Sequence, residues 1–214
     1  QGLKGDQGPA GNQGYKGVIG NQGFTGITSR GHQGYKGDTG AVGPRGYQGA
    51  VGGSMFVLLS SAPGISVTNN INNSSYSIQK TSGGNVWDEH AYTNLHHGQG
   101  APVTLTFNAQ ETGTYKMMGL TTDPTANTSY NTIDFAWYPQ QNGTVEIYEN
   151  GNKIGGSYGN YSTSTLFSIT YDGYGITYKL DGVTIRGTGY PGSNAYLYVD
   201  SSIYSVGGGF DNIR

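Results

Sequence analysis

Asn142-Gly-Thr-Val-Glu-Ile-Tyr-Glu-Asn-Gly151, Leu166-Phe-Ser-Ile-Thr-Tyr-Asp-Gly173 and Ile176-Thr-Tyr-Lys-Leu-Asp-Gly-Val-Thr-Ile-Arg186 decide the fold of the larger part of this chain. Each run is short and rich in β-branched and aromatic residues, and apolar positions alternate with polar ones as they do in half-buried strands. Asn150-Gly151, Asp172-Gly173 and Asp181-Gly182 fall where the runs end. Such pairs accept the positive φ that tight hairpins require. Working outward, Val103–Phe107, Thr114–Met118, Thr132–Trp137 and Ala195–Val199 also read as strands. No segment combines a 3.6-residue period with caps, so no helix is expected. Many short strands with regular turns predict an all-β, antiparallel β-sandwich or jelly roll over residues 54–214.

Together with Ile133-Asp-Phe-Ala-Trp137, these hairpins resemble the concanavalin A-like sandwich, close to laminin-G and SPRY-type domains of bacterial and viral surface proteins. Val86-Trp87-Asp88 and Ser201-Ser-Ile-Tyr-Ser-Val-Gly-Gly-Gly-Phe-Asp-Asn-Ile213 resemble the beginning and end of that module. The likeness spans most of Gly84–Arg214 and leaves the Asn- and Ser-rich residues 54–83 unexplained. It implies a fold and a tendency to bind carbohydrate or protein, without a fixed binding site. A C1q/TNF-like jelly roll of ten strands closing into a tight trimer is the alternative, because such heads often accompany collagen rods.

The first 53 residues follow a different rule. Glycine recurs at every third position, at Gly2, Gly5, Gly8, Gly11, Gly14, Gly17, Gly20, Gly23 and Gly26. The period resumes at Gly31, Gly34, Gly37, Gly40, Gly43, Gly46, Gly49 and Gly52. A strict Gly-X-Y period predicts a collagen triple helix, since only a hydrogen fits at the axis where three polyproline II chains meet. Residues 1–53 are therefore expected to form a homotrimeric rod of roughly 150 Å. Residues 27–30 interrupt it, as a local unwinding or as a hinge. Only Pro9 and Pro44 occur in the rod, both at X, so hydroxyproline at Y is not available. Lys4 with Asp6 and Lys36 with Asp38 set a cation before an anion for interchain pairing. Each exposed pair contributes about 0.2–1 kcal/mol, and a trimer repeats it threefold. Tyr15, Phe24, Tyr35 and Tyr47 occupy X and point outward, as plain surface rings or as contacts in a larger assembly.

Composition narrows the function. The 214 residues carry a formal net charge of −2, and no basic stripe of a nucleic-acid binder is present. No run approaches the roughly 18–20 apolar residues that cross a bilayer as a helix. Cysteine is absent, which removes disulfides and thiol chemistry. The chain opens within the repeat, at Gln1-Gly2, and is expected to continue a sequence that begins upstream.

Candidate chemistry is sparse. Glu146 and Glu149 could suggest a glycosidase pair, but three residues apart on a strand they face opposite sides. Asp88-Glu89-His90 with His96-His97 offers metal-capable side chains, read here as a solvated loop, because proximity in sequence does not make ligands converge. No nucleophile elbow, phosphate loop or dinucleotide fingerprint occurs. No catalytic residue, metal or cofactor is expected. Tyrosines among Asn and Ser combine flat apolar faces with hydrogen-bonding groups, which suits sugar or protein contacts. Tyr158, Tyr161, Tyr190 and Tyr204 are the candidates, although strands favour tyrosine in any case. Asn72, Asn73, Asn127, Asn142 and Asn160 lie in glycosylation sequons. The expected protein is non-enzymatic and extracellular, or on a virion or cell surface. It would be a trimeric fibre subunit, in a larger repeating assembly; the alternative is an adhesin whose head binds a glycan or cell-surface receptor. A polysaccharide-degrading tail spike would need the acidic pair that is missing.

Overall fold

The structure, a computed structural model, describes residues 58–60, 63–94, 96, 102–189 and 196–214. The expected rod over 1–53, with its axial glycines and the Lys4–Asp6 and Lys36–Asp38 pairs, lies outside the described residues, as does Tyr190. Fourteen strands run in chain order: β1 Leu58–Ser60, β2 Ile65–Asn70, β3 Ser75–Lys80, β4 Ala91–Thr93, β5 Val103–Ala109, β6 Lys116–Thr121 and β7 Phe135–Pro139. The second half comprises β8 Val145–Glu149, β9 Asn152–Ile154, β10 Phe167–Tyr171, β11 Gly175–Leu180, β12 Val183–Gly189, β13 Tyr198–Ile203 and β14 Gly209–Ile213. They form two seven-stranded antiparallel sheets, ordered β1-β4-β13-β6-β7-β8-β9 and β12-β11-β10-β5-β14-β3-β2. This is a β-sandwich, with more strands than the ten-strand jelly roll weighed against it.

Turn chemistry fixes the hairpins. Asn150 and Gly151 between β8 and β9 have φ of 49° and 74°, and Asp181 and Gly182 between β11 and β12 have 49° and 81°. Both pairs therefore supply the two left-handed residues of a twisted two-residue hairpin loop. Asp172 Oδ1 accepts from the amides of Tyr174 and Gly175 at 2.9 Å, closing the β10–β11 turn. These bonds hold its carboxyl below the usual carboxylate range.

The residues between 54 and 83 that the family likeness leaves unexplained pair into the sheets. The β2–β3 hairpin turns over a 3-10 turn at Ile71–Asn73 and forms one edge of the second sheet. Three strands begin later than expected. β6 starts at Lys116 and β7 at Phe135, because Tyr130–Thr132 form a 3-10 turn, and β13 covers Tyr198–Ile203.

Alternation along β5 and β7 sends Leu105, Phe107, Phe135 and Trp137 into the space between the sheets, where they are fully or almost fully buried. Phe107 stacks on Phe167 with ring centroids 5.1 Å apart. Trp137 of the first sheet meets Phe167 and Tyr178 of the second edge-on, at 5.8 and 5.4 Å. Its indole donates to Ser168 O at 3.0 Å, so one side chain joins both sheets by packing and by a hydrogen bond. At the sandwich rim, Arg186 of β12 forks onto Glu149 of β8, Nε to Oε1 at 2.8 Å and Nη2 to Oε2 at 3.1 Å.

Candidate functional site

A second apolar cluster lies on the outer face of the first sheet. Met117 of β6, Ala136 of β7 and Ile133 before it are completely buried although they face away from the main core. Trp87, Tyr130, Tyr138 and Tyr148 pack over them, each partly exposed. Trp87 lies at the centre, with ring centroids 5.0 Å from Tyr130, 5.4 Å from Tyr204 and 5.8 Å from Tyr138. Tyr115 completes one circuit, 5.9 Å from Tyr204 and 6.0 Å from Tyr138. Tyr148 completes another, 5.8 Å from Tyr130 and 5.3 Å from Tyr138. Two four-ring circuits therefore share the Trp87–Tyr138 edge and make one continuous aromatic platform, its rings tilted or edge-on to one another. Val86 and Val206, in the segments that carry Trp87 and Tyr204, are 48% and 43% exposed.

The rings gather from five parts of the chain, Tyr115 from just before β6. Tyr138 and Tyr148 occupy outward positions on paired strands, where the register sets Tyr138 opposite Glu146 and Tyr148 opposite Ala136. They meet diagonally, within reach of aromatic side chains. Tyr130 comes from the 3-10 turn, Tyr204 follows β13, and Trp87 sits on the loop before β4. The hydroxyls of Tyr115, Tyr130, Tyr138, Tyr148 and Tyr204 bond to no described residue and are not sealed from solvent. Burial, neighbouring phenols and Glu146 raise the pKa of Tyr138, and burial above all raises that of Tyr148. Both remain neutral donors at physiological pH.

One buried cation holds two parts of the platform. Lys80 ends β3 in the second sheet and is completely buried. Its ammonium donates to Val86 O at 2.8 Å and Asp88 Oδ1 at 2.6 Å, on either side of Trp87. It also reaches Ile203 O at 3.2 Å and Tyr204 O at 3.3 Å. Val206 N donates to Asn85 Oδ1 at 3.0 Å, binding the same two segments again.

Sequence reading identified Tyr204 but not the other five rings of the platform. Tyr161 is a correction: only 7% exposed, it packs in the main core and donates to Gln140 O at 3.0 Å. Its polar neighbours suggested exposure, but the chain folds back over it. Tyr158 is half-buried, packs against the core and donates to Ile154 O at 3.0 Å. Asp88-Glu89-His90 is not a solvated loop either. Glu89 and His90 are buried, and His90 Nδ1 lies 3.3 Å from the buried Asp200 Oδ1. His96 packs against Tyr196 and Tyr198 instead. No cluster of three metal-ligating side chains occurs among the described residues. Glu146 pairs with Lys153 and Glu149 with Arg186, so the two carboxylates serve separate ion pairs. Asn72, Asn127, Asn142 and Asn160 are exposed, and Asn73 lies in the 3-10 turn. Among the described residues no helix is long and apolar enough to cross a membrane.

No protein-family model and no curated protein matches the chain. Among solved structures the fold is similar to the SPRY domain of human HERC1, with a TM-score of 0.52 and 14% identity over 72% of this chain and 96% of that one. The described domain is thus a two-sheet antiparallel β-sandwich. The sandwich is also similar to the carbohydrate-binding module CBM66 from Bacillus subtilis, with a TM-score of 0.47 and 9% identity over 75% of this chain and 95% of that one. Similarity to the carbohydrate recognition domain of Emp46p gives a TM-score of 0.45 and 10% identity over 75% of this chain and 85% of that one.

Proposed function

We propose that the chain is a non-enzymatic recognition protein of an extracellular, virion or cell surface, with a glycan-binding sandwich head on a collagen-like rod. The aromatic platform carries this reading. Six partly exposed rings bear five phenol hydroxyls without a described partner, joining flat apolar faces to hydrogen-bonding groups. A pyranose presents the matching surface: C–H bonds on one face, which the negative face of an aromatic ring attracts, and hydroxyls around its edge. Three heads on one trimeric rod would convert weak single contacts into avidity through effective concentration.

The test is a glycan array with the full chain, repeated with Trp87→Ala. Binding that depends on Trp87 supports the reading; an array without signal for the native chain overturns it.

The Gly-X-Y period favours a second reading, in which the trimer is foremost the structural subunit of a fibre. Electron imaging of native material distinguishes the two. A helical repeat of rods and heads would make assembly the main role, and separate trimers with free heads would make recognition the main role.

A further inference from the structure

We infer that the platform accepts neutral pyranose chains and rejects sugars that carry a carboxylate or sulfate. This rests on the platform being a glycan-binding face and adds its ligand class. Beyond residue 53 the sequence has six Lys and Arg against eleven Asp and Glu, a net charge of −5. All six cations lie among the described residues, so each can be located. Lys80 is completely buried, and Asp88 and three carbonyls surround its ammonium. Lys116 is also completely buried, held by Glu111 and Thr114 beside the rings of Tyr161 and Phe210. Lys153 pairs with Glu146, and Arg186 forks onto Glu149. Lys179 lies on β11 and Arg214 follows β14, both in the second sheet, whereas the platform covers the first.

No unpaired Lys or Arg therefore stands on the platform's sheet to receive an anionic sugar. A carboxylate stands there instead. Asp88 follows Trp87 and is half-exposed above the buried Lys80, whereas Glu146, opposite Tyr138 in the strand register, is buried and neutralised by Lys153. An approaching sugar carboxylate would be desolvated against apolar rings and meet like charge, which disfavours it relative to a neutral sugar. A neutral pyranose meets the rings and phenol hydroxyls without that desolvation cost.

The test uses the full chain and pairs of oligosaccharides identical except for one acidic unit: terminal sialic acid present or absent, glucuronate against glucose, sulfated against unsulfated. Titration calorimetry at about 20 mM and about 0.5 M salt gives the affinities. The neutral member of each pair should bind about tenfold or more tightly at low salt. The gap should narrow at high salt, because exposed charges are screened. Glu146→Gln leaves Lys153 without its partner beside Tyr148, and should narrow the gap at low salt as well. Equal or tighter binding of the acidic members, with Trp87 still required, overturns the inference and leaves glycan binding standing. Binding of no member, or binding that survives Trp87→Ala, overturns both.

Discussion

Lys80 Nζ and Asp88 Oδ1 stand 2.6 Å apart, and the carbonyl of Val86 on the other side of Trp87 accepts from the same ammonium at 2.8 Å. A cation from the second sheet thus holds an indole that lies on the outer face of the first. Lys80→Met keeps most of the buried volume but leaves carbonyls unsatisfied. It should cost about 1–3 kcal/mol of stability, measured by urea unfolding. Trp137 is completely buried and Trp87 is partly exposed. In a 5-fluorotryptophan spectrum, the Trp87 line should move in this variant and the Trp137 line should stay. An unmoved Trp87 line would count against the anchoring role.

Trp87→Ala and Tyr138→Ala should each weaken ligand binding by about tenfold or more, as truncation of a central aromatic contact does. Tyr174→Ala, which removes a ring 84% exposed on the β10–β11 turn, should leave affinity unchanged. Titration calorimetry compares the three.

Trp137→Ala removes the ring that meets Phe167 and Tyr178 from the opposite sheet. The expected loss is about 3–5 kcal/mol, read from the urea midpoint. If the shift is below about 1 kcal/mol, Trp137 does not join the sheets as described.

Burial raises the Asp200 carboxyl from 3.8 to about 6, helped by Asp123 and opposed by His90 and the Ser201 amide. The folded protein therefore holds this proton more tightly than the unfolded chain does. The contribution to stability is whole below about pH 4 and is lost as pH rises through about 6. Asp200→Asn should accordingly gain on the native chain between pH 4 and pH 8, in urea midpoints taken across that range. A constant difference would show that this carboxyl titrates normally.

For the rod, Gly34→Ser places a side chain where the Gly-X-Y period leaves room for a hydrogen only. Sedimentation should give trimers for the native chain, and trimers that melt at lower temperature, or separated chains, for the variant. A native chain that sediments as a monomer would overturn the triple-helix expectation.

The sandwich was legible because its signals are local. Asn150-Gly151 and Asp181-Gly182 announce their hairpins within two residues, and β5 alternates buried and less buried positions without a break. The platform was not legible, because its rings span residues 87 to 204 and meet only through strand register and a 3-10 turn. Lys80, at the end of β3, carries no signal of burial in the sequence. Only the folding of the 86–88 loop and the 203–204 backbone around its ammonium reveals its burial. Tyr161 misled for the converse reason: its polar neighbours in sequence are exposed while its ring is in the core.

The Lys80 anchor would also make a ligand of Trp87 a lock on distant backbone. Opening of the β2–β3 hairpin would release the ammonium that fixes Trp87, so a molecule that binds Trp87 only in its fixed position would oppose that opening by its coupling free energy. Saturating ligand should therefore slow amide exchange along β3, in the sheet opposite the platform. In Lys80→Met exchange along β3 should no longer respond to the ligand.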